Sequence, residues 1–247
     1  MANDNGKMTF VLVHGSWHDG KSWRFVEKHL HASGHATLAP TLPGRGDGAS
    51  VSISFQDCVD CVVDAVKAAD LNGIVLVGHS AGGSVVRKAA ESLADRISRL
   101  VYISPLLAGN GEPVLAAVPP DYGALFRQMA DASEDNTVFP PWPVWRDGFI
   151  GDADEATAKM AFDELYPEPF GPIVEPIDLT AFEALQIPTS YINPTEDVVF
   201  PIGEWGFFPR MYHKVAPCRL VQLPGSHEVM YSNPEALAGA LVAAGRD

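Results

Sequence analysis

Ile74-Val75-Leu76-Val77-Gly78-His79-Ser80-Ala81-Gly82 is the stretch on which the fold turns. Four apolar, mostly β-branched residues have the pattern of a short strand buried on both faces. A G-x-S-x-G follows at once. Beyond it, Val85, Val86, Ala89, Ala90 and Leu93 recur at helical spacing, which predicts a helix over 81–94. Strand, sharp turn and helix in direct succession are what a nucleophile elbow requires. The reason is steric: a serine at so tight a turn takes strained backbone angles, and side chains two residues to either side collide. Glycine stands at both places, 78 and 82. Such a turn lifts the Ser80 hydroxyl above the carboxyl edge of a sheet and aims the next backbone N–H groups at the same space. The competing reading is a Gly-rich turn that carries an inert serine.

Outward from this point the chain alternates. Thr9–His14 reads as a buried strand, Lys21–Ser33 as a helix stopped by Gly34, and Ala36–Pro40 as a second strand. The Gly- and Pro-rich segment 41–50 reads as loop, and Phe55–Ala69 as a helix opened by a capping box of Ser54 and Asp57. Leu100–Ile103, Thr189–Ile192 and Arg219–Leu223 are further strands, and a last helix opens at Asn233-Pro234. Such alternation predicts an α/β fold with a mostly parallel, doubly wound sheet. Between 106 and 187 it breaks. That stretch is rich in Pro and aromatics, as in FPPWPVW over 139–145, and offers one clear helix, capped by Asp152. The expected organisation is a core of 1–105 and 188–247, with 106–187 inserted as a lid or cap.

Composition narrows the function classes. The chain has 247 residues, 47% hydrophobic, with 17 Lys and Arg against 31 Asp and Glu, a formal net charge of −14. A nucleic-acid backbone or an anionic membrane surface is therefore not an expected partner. No run approaches the ~18 apolar residues of a membrane span. The start, MANDNGKMTFVLVHG, lacks the basic region of a secretory signal, so a cytoplasmic location is the expectation. Cys58 and Cys61 form a C-x-x-C, but with Cys218 as the one other cysteine they read as small core residues of a helix, not as a zinc ribbon. No metal and no organic cofactor is expected. Neither a monomer nor a homodimer is favoured.

A serine hydroxyl needs a base within hydrogen-bond reach, and the base needs an orienting carboxylate. Of eight histidines, His29, His31 and His35 lie in or just beyond the first helix, and His79 belongs to the elbow. His227, in PGSHEVMYSNP between the last strand and the last helix, lies in a loop at the carboxyl edge and is the expected base. The acid should follow a strand between Ser80 and His227. YINPTEDVVFP supplies Glu196 and Asp197, of which Asp197 is preferred; the segment after Leu100–Ile103 has no carboxylate before Glu112. Backbone N–H groups of Ala81 and of Ser16, in His14-Gly15-Ser16-Trp17, are the expected oxyanion donors. His14 reads as a brace of that loop.

VLVHGSW, LPGRG, VGHSAGG, the Asp after a late strand and SHEVMYSNP together resemble an α/β-hydrolase-fold protein. HGSWHDGKSW, ASGH, GDADEATAKMAFDELYPEP and H-x-x-M-Y-S-N-P are similar to the esterase and hydroxynitrile lyase branch, with its plant methyl esterases and bacterial relatives. The likeness runs from about Thr9 to Ala243. It implies Ser80 as nucleophile, Asp197 as orienter, His227 as base and Ser16 and Ala81 as oxyanion donors. Lyases of this branch carry Lys directly after the catalytic His, where this chain has Glu228. The expected activity is therefore a serine esterase or lactonase acting through an acyl-enzyme on a small to medium, apolar or aromatic ester or lactone. A hydroxynitrile lyase and a silent ligand-binding receptor are the alternatives. Trp17, His18, Trp142 and Trp145 are the expected pocket residues.

Overall fold

A computed structural model describes residues 6–46 and 48–246. Asp47, in the loop expected over 41–50, lies outside the described residues, as do 1–5 and 247. In chain order the elements of the first half are β1 (Thr9–Val13), α1 (Arg24–Ala32), β2 (Ala36–Leu38), α2 (Phe55–Ala68), β3 (Ile74–His79), α3 (Gly82–Leu93) and β4 (Ile97–Ile103). The segment between β4 and the next sheet strand holds α4 (Pro120–Ala132), β5 (Thr137–Val138), α5 (Trp142–Val144), α6 (Glu155–Asp163), β6 (Glu168–Pro169) and α7 (Gly171–Val174). The chain ends with β7 (Thr189–Pro194), α8 (Phe207–His213), β8 (Arg219–Leu223), α9 (Val229–Ser232) and α10 (Pro234–Gly245).

Six strands form one sheet in the order β2-β1-β3-β4-β7-β8, and every neighbouring pair is parallel. All of β3 is buried, because α2 and α3 pack together on one side of the sheet and α1 and α10 on the other. Two covered faces explain why the central strands are continuously apolar rather than alternating. Each fully buried Val, Leu or Ile in them contributes roughly 1.5–3 kcal/mol. The chain leaves β1 toward β2 on one side and returns to β3 on the other. The carboxyl ends of β1 and β3 thus flank a topological switch point, where open α/β sheets collect their ligands.

Local chemistry sets the element ends. Ser54 Oγ accepts from the Asp57 N–H at 3.1 Å and Asp57 Oδ2 from the Ser54 N–H at 2.7 Å, the reciprocal box read in the sequence. Gly34, past the end of α1, has φ +83°. Cys58 is buried on α2, and burial pushes its thiol up to about 12. Among the described residues no helix is long and apolar enough to cross a membrane.

The inserted segment is more ordered than its sequence suggests. It carries four α-helices, and β5 and β6 pair antiparallel, Thr137 with Pro169 and Val138 with Glu168. The helix expected from Asp152 begins instead at Glu155, and Asp154 caps it by accepting from the Thr157 N–H at 2.7 Å. Asp152 is drawn elsewhere: its Oδ2 accepts from the Ser226 N–H at 3.1 Å, beside His227. The sequence gives α4 no clear helical stripe, since it buries only Gly123 and Ala130 fully, while Leu125, Phe126 and Met129 face a cavity.

Candidate active site

Ser80 directly follows β3 at φ +50°, a region L residues rarely adopt, and the glycines around it show how tightly the turn is packed. A Cβ on Gly78 would lie 2.8 Å from the Gly82 carbonyl oxygen, and one on Gly82 would lie 2.5 Å from that of His14. A third glycine is as constrained: a Cβ on Gly15 would meet the Ser80 Cβ at 2.8 Å and His79 Nδ1 at 3.1 Å. The loop after β1 therefore packs directly on the serine. Gly15→Ala is expected to push the two apart and to lower turnover roughly a hundredfold, as small misplacements of reacting groups do. Steady-state kinetics beside a circular dichroism melt checks this; unchanged kcat would show the loop to be irrelevant.

His14 braces the same loop. Its Nδ1–H donates to the Gly15 carbonyl at 2.8 Å, and its Nε2 accepts from the Leu42 N–H at 3.0 Å. Burial first, then the Arg45 charge, holds its pKa well below the usual histidine value, so it stays neutral.

His227 Nδ1 lies 2.8 Å from Asp197 Oδ2, both side chains being almost wholly buried. Asp197 Oδ1 accepts from the Val199 N–H at 3.2 Å, which fixes the carboxylate. Glu196 is exposed, so of the two adjacent carboxylates only Asp197 meets the imidazole. Burial pulls the His227 pKa down, but the Asp197 charge and hydrogen bond, with the Glu228 charge, outweigh it and leave it above 6.5. His79, read only as part of the elbow, holds the backbone here: its Nε2–H donates to the His227 carbonyl at 3.1 Å. Burial and the neighbouring His227 lower its pKa to about 3, so it is an uncharged spacer.

Ser16, Trp17, Ser80 and His227 line one cavity of about 430 Å³, within the usual range for small-molecule sites. Val118, Phe126, Met129, Phe149, Phe170, Val199 and Phe207 make most of its wall apolar. Leu125, Val144 and Val198 belong to the same wall yet are half exposed, which marks an apolar mouth. Among the described residues no Lys or Arg lines it, and Glu168, His227 and the Tyr122 phenol are its ionisable groups.

Three expected pocket residues are not in that wall. Trp145 is fully buried behind it, stacked on Phe149 at 5.4 Å, and Trp142 packs edge-on against Phe162 at 5.2 Å. These rings satisfy one another inside the inserted segment. His18 is buried against Glu228, its Nε2 2.9 Å from Oε2. Burial opposes ionisation of Glu228, yet the His18 interaction prevails and holds its carboxyl at about 2. The residues that do form the wall beside Trp17, such as Phe149, Phe170 and Phe207, are scattered through the chain and carry no short-range pattern. Phe207, 5.0 Å from the His227 ring, lies on α8, which the sequence reading did not place.

The sequence model of the Alpha/beta hydrolase family matches residues 10–240, which span both the elbow and the late histidine. The chain belongs to the α/β-hydrolase family. Among relatives of this α/β hydrolase, a carbendazim hydrolyzing esterase of Nocardioides sp. (strain SG-4G) is 28% identical over 96% of this chain and 99% of its own. A pyrethroid hydrolase of Sphingobium wenxiniae is 28% identical over 94% of this chain and 85% of its own. In structure, an extracellular α/β-hydrolase from a Paenibacillus species superposes with a TM-score of 0.94 at 35% identity. That superposition covers 97% of this chain and all of the other, a protein described as sharing structural and functional homology with tobacco salicylic acid binding protein 2.

Proposed function

We propose that this α/β hydrolase is a serine esterase or lactonase that cleaves small to medium, neutral esters with apolar or aromatic groups through an acyl-enzyme. One observation carries the reading: Ser80 and the Asp197-paired His227 open into the same 430 Å³, almost wholly apolar cavity. The relatives named for hydrolysing carbendazim and pyrethroids support the reaction class.

The chemistry follows from the geometry. Asp197 occupies His227 Nδ1, so Nε2 is the nitrogen left to take the Ser80 proton. Ser80 attacks the carbonyl carbon, and negative charge develops on the carbonyl oxygen. The Ser16 and Ala81 N–H groups receive that charge; fixed donors of this kind are typically worth a few kcal/mol in the transition state. His227 then protonates the leaving alkoxide, and a water deprotonated by His227 releases the acid. Residues 106–187 act as the lid that excludes bulk water, supplying Phe126, Phe149 and Phe170 to the wall. A cavity lined by no Lys or Arg among the described residues, in a chain of net charge −14, selects against polyanionic substrates such as acyl-coenzyme A. An ionised Glu228 next to His227 opposes cyanide departure, so the lyase reading gains no support.

A panel of aryl esters, methyl esters, lactones and acyl-coenzyme A compounds tests this, with mandelonitrile added to register cyanide release. The expected result is turnover of neutral esters or lactones, and a fluorophosphonate that inactivates the enzyme and is found by mass spectrometry on Ser80. Turnover of acyl-coenzyme A alone, or a label elsewhere, rejects the proposal.

A further inference from the structure

Trp17 follows the proposed oxyanion donor Ser16, yet each of its polar groups is held by the inserted segment rather than by the core. Its N–H donates to Glu168 Oε2 at 2.7 Å, its indole Nε1–H to the Val138 carbonyl at 2.9 Å, and its carbonyl accepts from the Tyr166 N–H at 2.8 Å. Its ring packs edge-on against Phe149 at 5.3 Å and Phe126 at 6.4 Å, both from that same segment. The backbone at Trp17 has φ +65°, a conformation a bulky L residue keeps only when its surroundings impose it.

Glu168 is the one charged member of this set. It is buried and lines the cavity, and its Oε2 also accepts from Arg45 Nη2 at 2.5 Å. Arg45 is buried too and is fixed by donating Nη1–H to the Pro43 carbonyl at 2.8 Å. The guanidinium pairs with this buried carboxylate, and a charge-assisted acceptor grips a backbone N–H harder than a neutral one does. Ser16 is thereby held from both sides, by Gly15 against Ser80 and by Trp17 against Glu168.

We infer that Glu168 is a positioning residue: with Arg45 it fixes the turn at Trp17, and so makes the oxyanion site complete only when β5 and β6 are seated on the loop after β1. The inference rests on the serine-hydrolase reading and on Ser16 as a donor. Glu168 acts through the loop and does not touch the reacting atoms.

The test uses the full chain with two variants. Arg45→Met/Glu168→Leu removes both charges and leaves no buried ion alone, a replacement that folded proteins usually tolerate; it deprives the Trp17 N–H of its acceptor. Glu168→Gln keeps a carbonyl acceptor at the same place. The readouts are kcat and KM on an aryl ester that the wild type turns over, the affinity of an aryl boronic acid as tetrahedral mimic, and that of the matching ester's amide as ground-state mimic. In the double variant kcat should fall about 30- to 100-fold with KM within about twofold, and boronate affinity should fall in step while amide affinity stays. Glu168→Gln should recover kcat to within about tenfold of wild type. A double variant within about threefold of wild-type kcat overturns the inference. So does a loss shared equally by boronate, amide and thermal stability, which marks a merely structural contact. A wild type inert on every ester instead overturns the hydrolase reading, and this inference with it.

Discussion

Replacing Ser80 with alanine is expected to remove at least about 10⁴-fold of kcat while the protein stays folded. The first half of that expectation comes from the chemistry. A carbonyl placed against the proposed donors, the Ser16 and Ala81 N–H groups, still meets them in the variant, but nothing forms a bond to it. The second half comes from the packing. The elbow is held by the close approach of Gly15, Gly78 and Gly82 to neighbouring atoms, and by the Leu106 N–H donating to the Ser80 carbonyl at 2.8 Å. None of these needs the hydroxyl. Among the described residues Oγ enters no hydrogen bond of its own. Alanine at φ +50° is strained as serine is, so the melting temperature should move by no more than a degree or two. The same variant separates enzyme from receptor, since a receptor retains its ligand response. Residual turnover within tenfold of wild type would mean that another group does the chemistry.

Much of the frame was legible because its signals are local. The IVLVGHSAG stretch fixes a strand, a steric demand for glycine and a helix within nine residues, and β3 and α3 appear there. The capping box of Ser54 and Asp57 spans four residues and is equally readable. The inserted segment was opaque for the opposite reason. Its apolar side chains serve two surfaces, a cavity and one another, so α4 has no periodic stripe and Trp142 and Trp145 look like pocket residues although they pack behind the wall. Glu168 is a lone carboxylate in LYPEPF, and its partners Trp17 and Arg45 lie more than a hundred residues away. No spacing rule reaches that far. Asp152 shows a related limit: two carboxylates compete for one cap, and the Ser226 N–H, remote in sequence, decides between them.

Asp197→Asn is expected to lower kcat/KM by about 10³- to 10⁴-fold and to shift what remains toward lower pH. In the native pair Asp197 Oδ2 accepts from His227 Nδ1–H, which leaves Nε2 unprotonated toward the cavity. Asparagine can turn its NH₂ to Nδ1, which puts the ring proton on Nε2, where it blocks transfer from Ser80. The pH shift has a separate origin and a definite sign. A general base works only when neutral, so turnover falls as pH drops through the His227 pKa, which stands above 6.5 in the native protein. The variant keeps the burial that lowers this pKa and loses both contributions of Asp197 that raise it, retaining only that of Glu228. The acid limb of kcat/KM must then lie at lower pH than in the native enzyme. The loop should survive, because asparagine still offers Oδ1 to the Val199 N–H. Glu196→Gln is the matched control. That side chain is exposed and its backbone N–H is engaged with the Gly225 carbonyl, so its profile should overlay the native one. Rate profiles from about pH 5 to 9 for the three proteins decide the matter. An unmoved acid limb in Asp197→Asn, or an equal loss in Glu196→Gln, would remove Asp197 from the catalytic assignment and leave His227 without its orienting acid.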